Sequence, residues 1–512
     1  MFELNPPSPR AGAREWAALG VLVLAVTLLA VDGTVLSLAV PALSAALDPT
    51  ANQLLWIGDI YSFALAGLLI TMGNLADKIG RKKLLLIGAV GFGLASALAS
   101  FAPNAETLIA ARAVLGISGA TLMPSTLSIV RHMFAVPKER TRAIAIWSAG
   151  AAGGAALGPL VGGFLLEHFW WGSVFLINIP VMLVLVIAGL FLLPESKNPN
   201  PQKVDWLSSI LSIAGIVPLV FAIKRVFSAQ FDWVLFTSIV IGLVASWLFV
   251  RHQQRLPVPM LDLELFKVPA FRGAVISIGF AIFALSGLLF FFSQYLQLVR
   301  GLEPLQAGLT ELPATIAMMV VVVLVSFVVS KLGVGGATGF GLILTGIGLA
   351  ILAYAEGLEG FTGIIIALLI TGFGIGLAET VAMDTVVGSV PRARAGAASA
   401  ISETAYELGV ALGIAVLGSL LTAQYRMRLP DLSGLSSAEQ QSAHESLASG
   451  IEALSDSHPD VIHLLQESFT GAMQVTALVA AGLLILTGIF AWRTIPRRIS
   501  VSEDTGQIEV VK

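Results

Sequence analysis

Residues 56–83 read WIGDIYSFALAGLLITMGNLADKIGRKK. An apolar run about one bilayer thick carries an acid, Asp59, near one end. The other end breaks into Gly73-Asn74-Leu75-Ala76-Asp77-Lys78-Ile79-Gly80-Arg81-Lys82-Lys83, a short, charged, glycine-punctuated loop. An acid buried at one membrane face and a latch-like loop at the other make an arrangement that a carrier needs.

The rest of the chain has the composition of a membrane protein. Of 512 residues, 56% are apolar and only 12% charged, and 51 are glycine. Mean hydropathy is +0.89. A water-soluble surface needs about a quarter of its residues charged. Apolar runs of about 20 residues recur from end to end, which implies an all-α polytopic membrane protein. A net charge of −3 gives no reason to expect a nucleic-acid partner. Without cysteine there is no disulfide and no thiolate metal site. The polar start MFELNPPSPRAGAREW leads into an apolar run, Trp16–Val40. That run is too long for a signal-peptide core and carries Asp32, so cleavage is not expected.

Fourteen spans are expected, an even number that puts both termini on one side. With the termini cytoplasmic, 23 of the 29 basic residues fall on the inner side. Five fall outside (Lys224, Arg225, Arg300, Arg426 and Arg428), and Arg112 alone lies within a span. The positive-inside rule therefore predicts a multi-pass protein of the cytoplasmic membrane with both termini inside.

Transporters are often built from repeats, and the spans parse that way. A cytoplasmic N-terminus (1–16) precedes an amino-terminal six-helix bundle (17–193). A proline-rich cytoplasmic linker (194–206), an inserted two-helix hairpin (207–251) and a second linker (252–270) follow. A carboxy-terminal six-helix bundle (271–492), with an external loop at 422–470, leads to a polar cytoplasmic tail (493–512) expected to be mobile. The acidic external loop is either a cap over the exit or a tolerated insertion.

Acids inside spans cost about 2.5–3.5 kcal/mol each at the membrane centre, so they mark function. Asp32 and Asp59 lie in the first two spans, and Glu403 and Glu407 in the thirteenth. The latter two are four residues apart, on one helix face. No base in those spans neutralises them. Buried carboxyls can exchange protons near neutral pH and attract organic cations when ionised. Those properties together point to proton/cation exchange, with Asp32, Asp59, Glu403 and Glu407 as the proton- and substrate-binding acids.

Trp56, Tyr61 and Tyr406 are candidate aromatic contacts for a lipophilic cation. Arg112 either pairs with a membrane acid, holds a water network or snorkels to the surface. Glu311, Glu379 and Asp384 are weaker candidates, near span ends where interfacial water is expected to solvate them. The fifth span carries Gly154, Gly158-Pro159, Gly162 and Gly163, small residues and a bend suited to a mobile, gate-forming helix. No Gly-Lys step and no HExxH occur, so neither a P-loop nor a zinc hydrolase site is expected. No cofactor and no metal are expected; the proton gradient supplies the energy.

These motifs resemble the major facilitator superfamily, specifically its fourteen-helix drug:proton antiporters. Residues 73–83, with Gly73, Asp77, Gly80 and Arg81, resemble its gating loop between helices two and three. Arg112 with Gly116 resembles its fourth-helix motif, where the arginine serves proton relay or structure. Gly154, Gly158, Pro159, Gly162 and Gly163 resemble its antiporter motif, with Ala145 replacing one upstream glycine. Asp32-Gly33-Thr34, running to Ala39 and Pro41, is similar to the first-helix motif of the fourteen-helix group.

Residues 56–62 and 403–409, continuing to Gly418-Ser419, resemble QacA-like quaternary-ammonium efflux pumps. Two positions depart from that pattern: Ser402 precedes Glu403, and Met318 follows Leu312-Pro313, where such pumps can carry acids. Both departures remove negative charge and bear on proton count and divalent substrates. The resemblance implies the major facilitator fold and a monomer that is not an enzyme. It implies export of cationic amphiphiles (quaternary ammonium compounds, dyes, antiseptics) in exchange for protons, amid membrane lipids. Rival readings are export of an endogenous lipid or metabolite, and a non-transporting membrane sensor. Proton symport for uptake is disfavoured by the antiporter-like fifth helix.

Overall fold

The computed structural model describes residues 11–197, 204–227, 230–257, 259–390, 395–455, 458–501 and 508–511. Part of the expected N-terminal segment (1–10), part of the first linker (198–203) and the basic residues Arg392 and Arg394 lie outside the described residues.

The first group of helices is α1 (Ala13–Leu47), α2 (Ala51–Ile79), α3 (Arg81–Ser100), α4 (Ala105–Met133), α5 (Pro137–His168), the short α6 (Ser173–Leu176) and α7 (Asn178–Leu192). A hairpin follows, α8 (Trp206–Phe227) and α9 (Trp233–Gln253). The second group is α10 (Pro269–Gln294), α11 (Pro304–Ala355), α12 (Thr362–Gly388), α13 (Ala395–Arg428), two short helices α14 (Ser437–Glu445) and α15 (Leu447–Leu454), and α16 (Pro459–Thr494).

Among the described residues, thirteen helices are long and apolar enough to cross a membrane. The 52-residue α11 breaks at Gly333, whose φ of 75° lies in the left-handed region, so it supplies two spans and the total is fourteen. A Cβ at Gly333 would also lie 2.8 Å from the Arg497 carbonyl oxygen.

Local chemistry sets the turns. Thr50 accepts from the Gln53 amide at 3.2 Å while the Gln53 side chain accepts from the Thr50 amide at 2.9 Å, a capping box that starts α2. Gly80, at φ 117°, turns the chain from α2 to α3 in one residue, packed on the Glu195 carboxylate. Asp205 caps α8 through the Ser208 amide at 3.2 Å and meets His252 Nε2 at 3.1 Å, tying the two ends of the hairpin.

The helices pack as two six-span bundles. In the first, α1 lies on α5 and α7, α2 on α4, and α3 on α4 and α7. In the second, α11 lies on α12 and α16, and α10 on α12, α13 and α16. The bundles meet through α2 on α13, α5 on α11 and α1 on α10. Within lipid the hydrophobic effect does not hold helices together, so close approach of small residues must. Gly150, Gly154, Gly158 and Gly162, at every fourth position of α5, face Val23, Thr27, Thr34 and Val35 of α1. The outer faces are apolar, with Leu94, Phe191 and Val323 turned outward.

The hairpin is not a detached insertion. α8 lies against both α2 and α13. Phe63 of α2, Val220 of α8, and Ala411 and Ala415 of α13 form a buried apolar cluster of their own.

The two remaining segments take the following forms. The external loop folds into α14 and α15 and touches the α1–α2 turn: Glu445 accepts from the Ala51 amide at 3.2 Å and Ser449 donates to Asp48 at 3.3 Å. In the tail, Arg498–Val501 pairs with Ile508–Val511 as a two-stranded antiparallel ribbon, the one sheet among the described residues.

Candidate transport site

Among the described residues, buried charge clusters at three places. The first lies inside the amino-terminal bundle. Asp32 of α1 is 1% exposed. Its Oδ1 accepts from Asn178 Nδ2 of α7 at 2.8 Å, and its Oδ2 lies 3.6 Å from Arg112 Nη1 of α4. Asn178 also donates to Ser96 Oγ of α3 at 3.1 Å. Arg112 Nε donates to the Ile57 carbonyl of α2 at 3.1 Å, and its guanidinium lies 4.9 Å from the Tyr61 ring centroid. Five helices thus converge on one ion pair. Arg112 does not snorkel; it is buried and pairs with an acid. Gly116, one turn on, packs against the Tyr61 carbonyl oxygen, which lets α4 approach α2.

The second place corrects the sequence reading. That reading puts Lys224 in an outer loop and leaves Asp59 without a base. Instead α8 runs on to Phe227, and Lys224 Nζ lies 2.6 Å from Asp59 Oδ2, the two side chains 2% and 0% exposed. The ammonium also sits 3.7 Å from the Trp56 ring centroid. Trp56 is flanked by Phe63 and Phe221, each with ring centroids 6.4 Å away. The neutralising base comes from a helix other than the acid's own, which charge counting along single spans does not reveal.

The third place is on the carboxy-terminal bundle. Glu407 of α13 is buried and lies near Ser62 of α2, across the bundle interface. Glu403, one turn away, is half-buried and within electrostatic range of Glu379 of α12. Tyr406 lies within range of all three carboxylates. Tyr61 lies between the first place and the third, within range of both Asp32 and Glu407.

The weaker candidates separate. Of the three, only Asp384 is exposed, near the end of α12. Glu379 is half-buried in α12, and Glu311 is buried two turns into α11 with Oε1 unpartnered. Glu311 lies one turn beyond Gly308, where α11 presses against the Pro159 carbonyl of α5. Glu356, at the end of α11, is buried with both carboxylate oxygens unpartnered, and no motif marks it. Asn178, Ser96 and Ser62 also carry no charge signal; only their polarity within apolar runs could have flagged them.

The gating loop is tied to its own bundle. Arg81 pairs with Asp77 at 2.8 Å, and its amide donates to the Ser196 carbonyl at 3.0 Å. Glu195 accepts from the Lys82 and Lys83 amides at 3.2 and 3.3 Å. Gly73 packs near Pro124 of α4.

At the opposite end the bundles close on each other. Gln297 donates to the Leu38 carbonyl at 3.0 Å, Gly58 faces Phe290 and Ile414, and a Cβ at Gly163 would lie 2.6 Å from Leu305 Cα. The helix-five motif is therefore two-sided: Gly154, Gly158 and Gly162 face α1, while Pro159 and Gly163 face α11.

Residues 22–414 match the Major Facilitator Superfamily. The multidrug efflux pump LfrA of Mycolicibacterium smegmatis is 42% identical over 489 residues, covering 94% of this chain and 97% of that protein. The methyl viologen resistance protein SmvA of Salmonella typhimurium is 34% identical, covering 94% and 98%. A bacterial homolog of the human lysosomal transporter Spinster, solved in an inward-facing and unoccupied conformation, superposes with a TM-score of 0.65. It is 18% identical, and the match covers 94% of this chain and 99% of that one, a likeness of fold. The chain belongs to the major facilitator superfamily, a family of membrane transporters rather than enzymes.

Proposed function

We propose that the chain is a proton-coupled antiporter that exports lipophilic organic cations across the cytoplasmic membrane by alternating access. The observation that carries this reading is the placement of buried carboxylates on both faces of the bundle interface. Asp59 lies on α2, and Glu407 lies on α13 near Ser62 of α2. A rocking motion of one bundle against the other changes the surroundings of both acids at once. An acid whose surroundings alternate between dry and wet takes up and releases protons with the cycle. The names of two relatives, a multidrug efflux pump and a methyl viologen resistance protein, point the same way, since methyl viologen is itself an organic cation.

The basic loops place the gating loop in the cytoplasm. The end at which the bundles close on each other is then external. The hairpin rides on the α2–α13 seam. A potential of 100 mV is worth about 2.3 kcal/mol per net charge moved. That sustains about a fortyfold gradient, so ATP is not required.

Ethidium accumulation in inside-out proteoliposomes tests the reading. An imposed pH gradient, acid inside, is expected to drive uptake, and Asp59→Asn or Glu407→Gln to abolish it. Uptake at an unchanged rate after an ionophore collapses the gradient would refute proton coupling.

A further inference from the structure

The site at Asp59 already holds a cation of the protein's own. Lys224 Nζ lies 2.6 Å from the Asp59 carboxylate and 3.7 Å from the Trp56 ring centroid, in a place closed to solvent. An anion beneath an aromatic face is the chemistry that recognises an organic cation. Next to Lys224 lies a cavity of about 260 Å³. Its walls include the hydroxyls of Ser419 and Thr422 and the Glu445 carboxylate. Glu445 accepts from the Ala51 amide at 3.2 Å and lies 3.6 Å from Arg426, which lines the same cavity.

We infer that Lys224 is a specificity-determining residue, a tethered cation that occupies the Asp59–Trp56 site in the empty carrier and must be displaced by a cationic substrate. Displaced, its ammonium moves into the adjoining cavity, where Ser419, Thr422 and Glu445 receive it. The lysine's four-carbon stem allows this swing without moving α8. The exchange conserves charge at Asp59: one cation leaves as another arrives, so the buried acid is never left bare.

The consequence is selectivity. A small, strongly hydrated ammonium gains nothing over the lysine already in place. A flat or aryl-bearing lipophilic cation gains additional stacking on Trp56 and displaces it. The same competition weakens apparent affinity by the fraction of time the lysine holds the site. The hairpin, absent from a plain two-bundle arrangement, thereby acts at the substrate site itself.

The inference rests on the cation-antiport reading and is tested apart from it, on purified full-length protein with tetraphenylphosphonium as probe. Acylation of Lys224 by an amine-reactive ester, followed by mass spectrometry, is expected to be slow in the wild type. It is expected to be fast at saturating probe, and fast without probe in Asp59→Asn. In mildly alkaline buffer, Lys224→Met should bind the probe about tenfold more tightly, and Lys224→Arg should not. Asp59→Asn should remove the gain. Lys224 equally protected with and without probe would overturn the inference, as would a folded Lys224→Met variant with unchanged or weaker binding. If that variant does not fold, the wild-type labelling decides alone. Probe-dependent exposure of Lys224 in a protein that moves no protons would refute antiport and keep this inference. Coupled transport with Lys224 protected throughout would do the reverse.

Discussion

Asp32 and Arg112 form a buried ion pair that is also hydrogen-bonded to Asn178 and to the Ile57 carbonyl. Removing one partner of such a pair costs about 3–5 kcal/mol, because the other charge stays buried and uncompensated. Arg112→Met is therefore expected to lower the melting temperature of the purified protein sharply. Asp32→Asn with Arg112→Met should recover most of that loss, and a double variant as unstable as the single one would contradict the pairing. Asn178→Leu removes a hydrogen bond to a charged group and should cost about 1.5–3 kcal/mol. The acids and Arg112 were legible because a charge stands out in an apolar run. Their partners were not. Asn178 and Ser62 are neutral, and Lys224 sits at a span edge where a base is ordinarily interfacial. Its meeting with Asp59 depends on how a distant hairpin docks, which no local pattern encodes.

At the scale of the element, the glycines of α5 are not equivalent. A Cβ at Gly153 meets nothing within 4 Å, whereas one at Gly163 meets the backbone of α11 at 2.6 Å. Gly153→Ala should leave stability within about 0.5 kcal/mol and transport near wild type. Gly163→Leu overpacks the α5–α11 contact, at about 1–3 kcal/mol, and should hold the external end open and stop ethidium transport. Equal activity in the two variants would refute the two-sided role of this helix. Spans were legible from hydropathy alone, including the pair within α11, because Gly333 and its neighbours interrupt the apolar run. The external loop was legible only as amphipathic. That it caps the α1–α2 turn follows from Glu445 and Ser449, whose partners lie at the other end of the chain.

At the scale of the whole molecule, the bundles touch at Leu38 of α1 and at the α1–α2 turn, while the Asp77–Arg81 loop is tied within its own bundle. The loop has its partners on the other bundle only when the cytoplasmic end shuts, on the reading proposed above. Asp77→Asn should then slow turnover while leaving ethidium affinity within about twofold, since less than about 0.4 kcal/mol at the site is involved. Unchanged turnover would refute the latch. The chain has no cysteine of its own, so a cysteine pair at Leu38 and Gln297 can be cross-linked cleanly. Locking that end should abolish transport yet leave ethidium binding intact; continued transport would contradict alternating access through it. The central claim is that these buried acids give up protons when a cation binds. Proton release from purified protein in weakly buffered detergent, on adding ethidium, measures it directly. The account predicts release in the wild type and its loss in Asp32→Asn with Glu407→Gln; release that survives in that variant would contradict it.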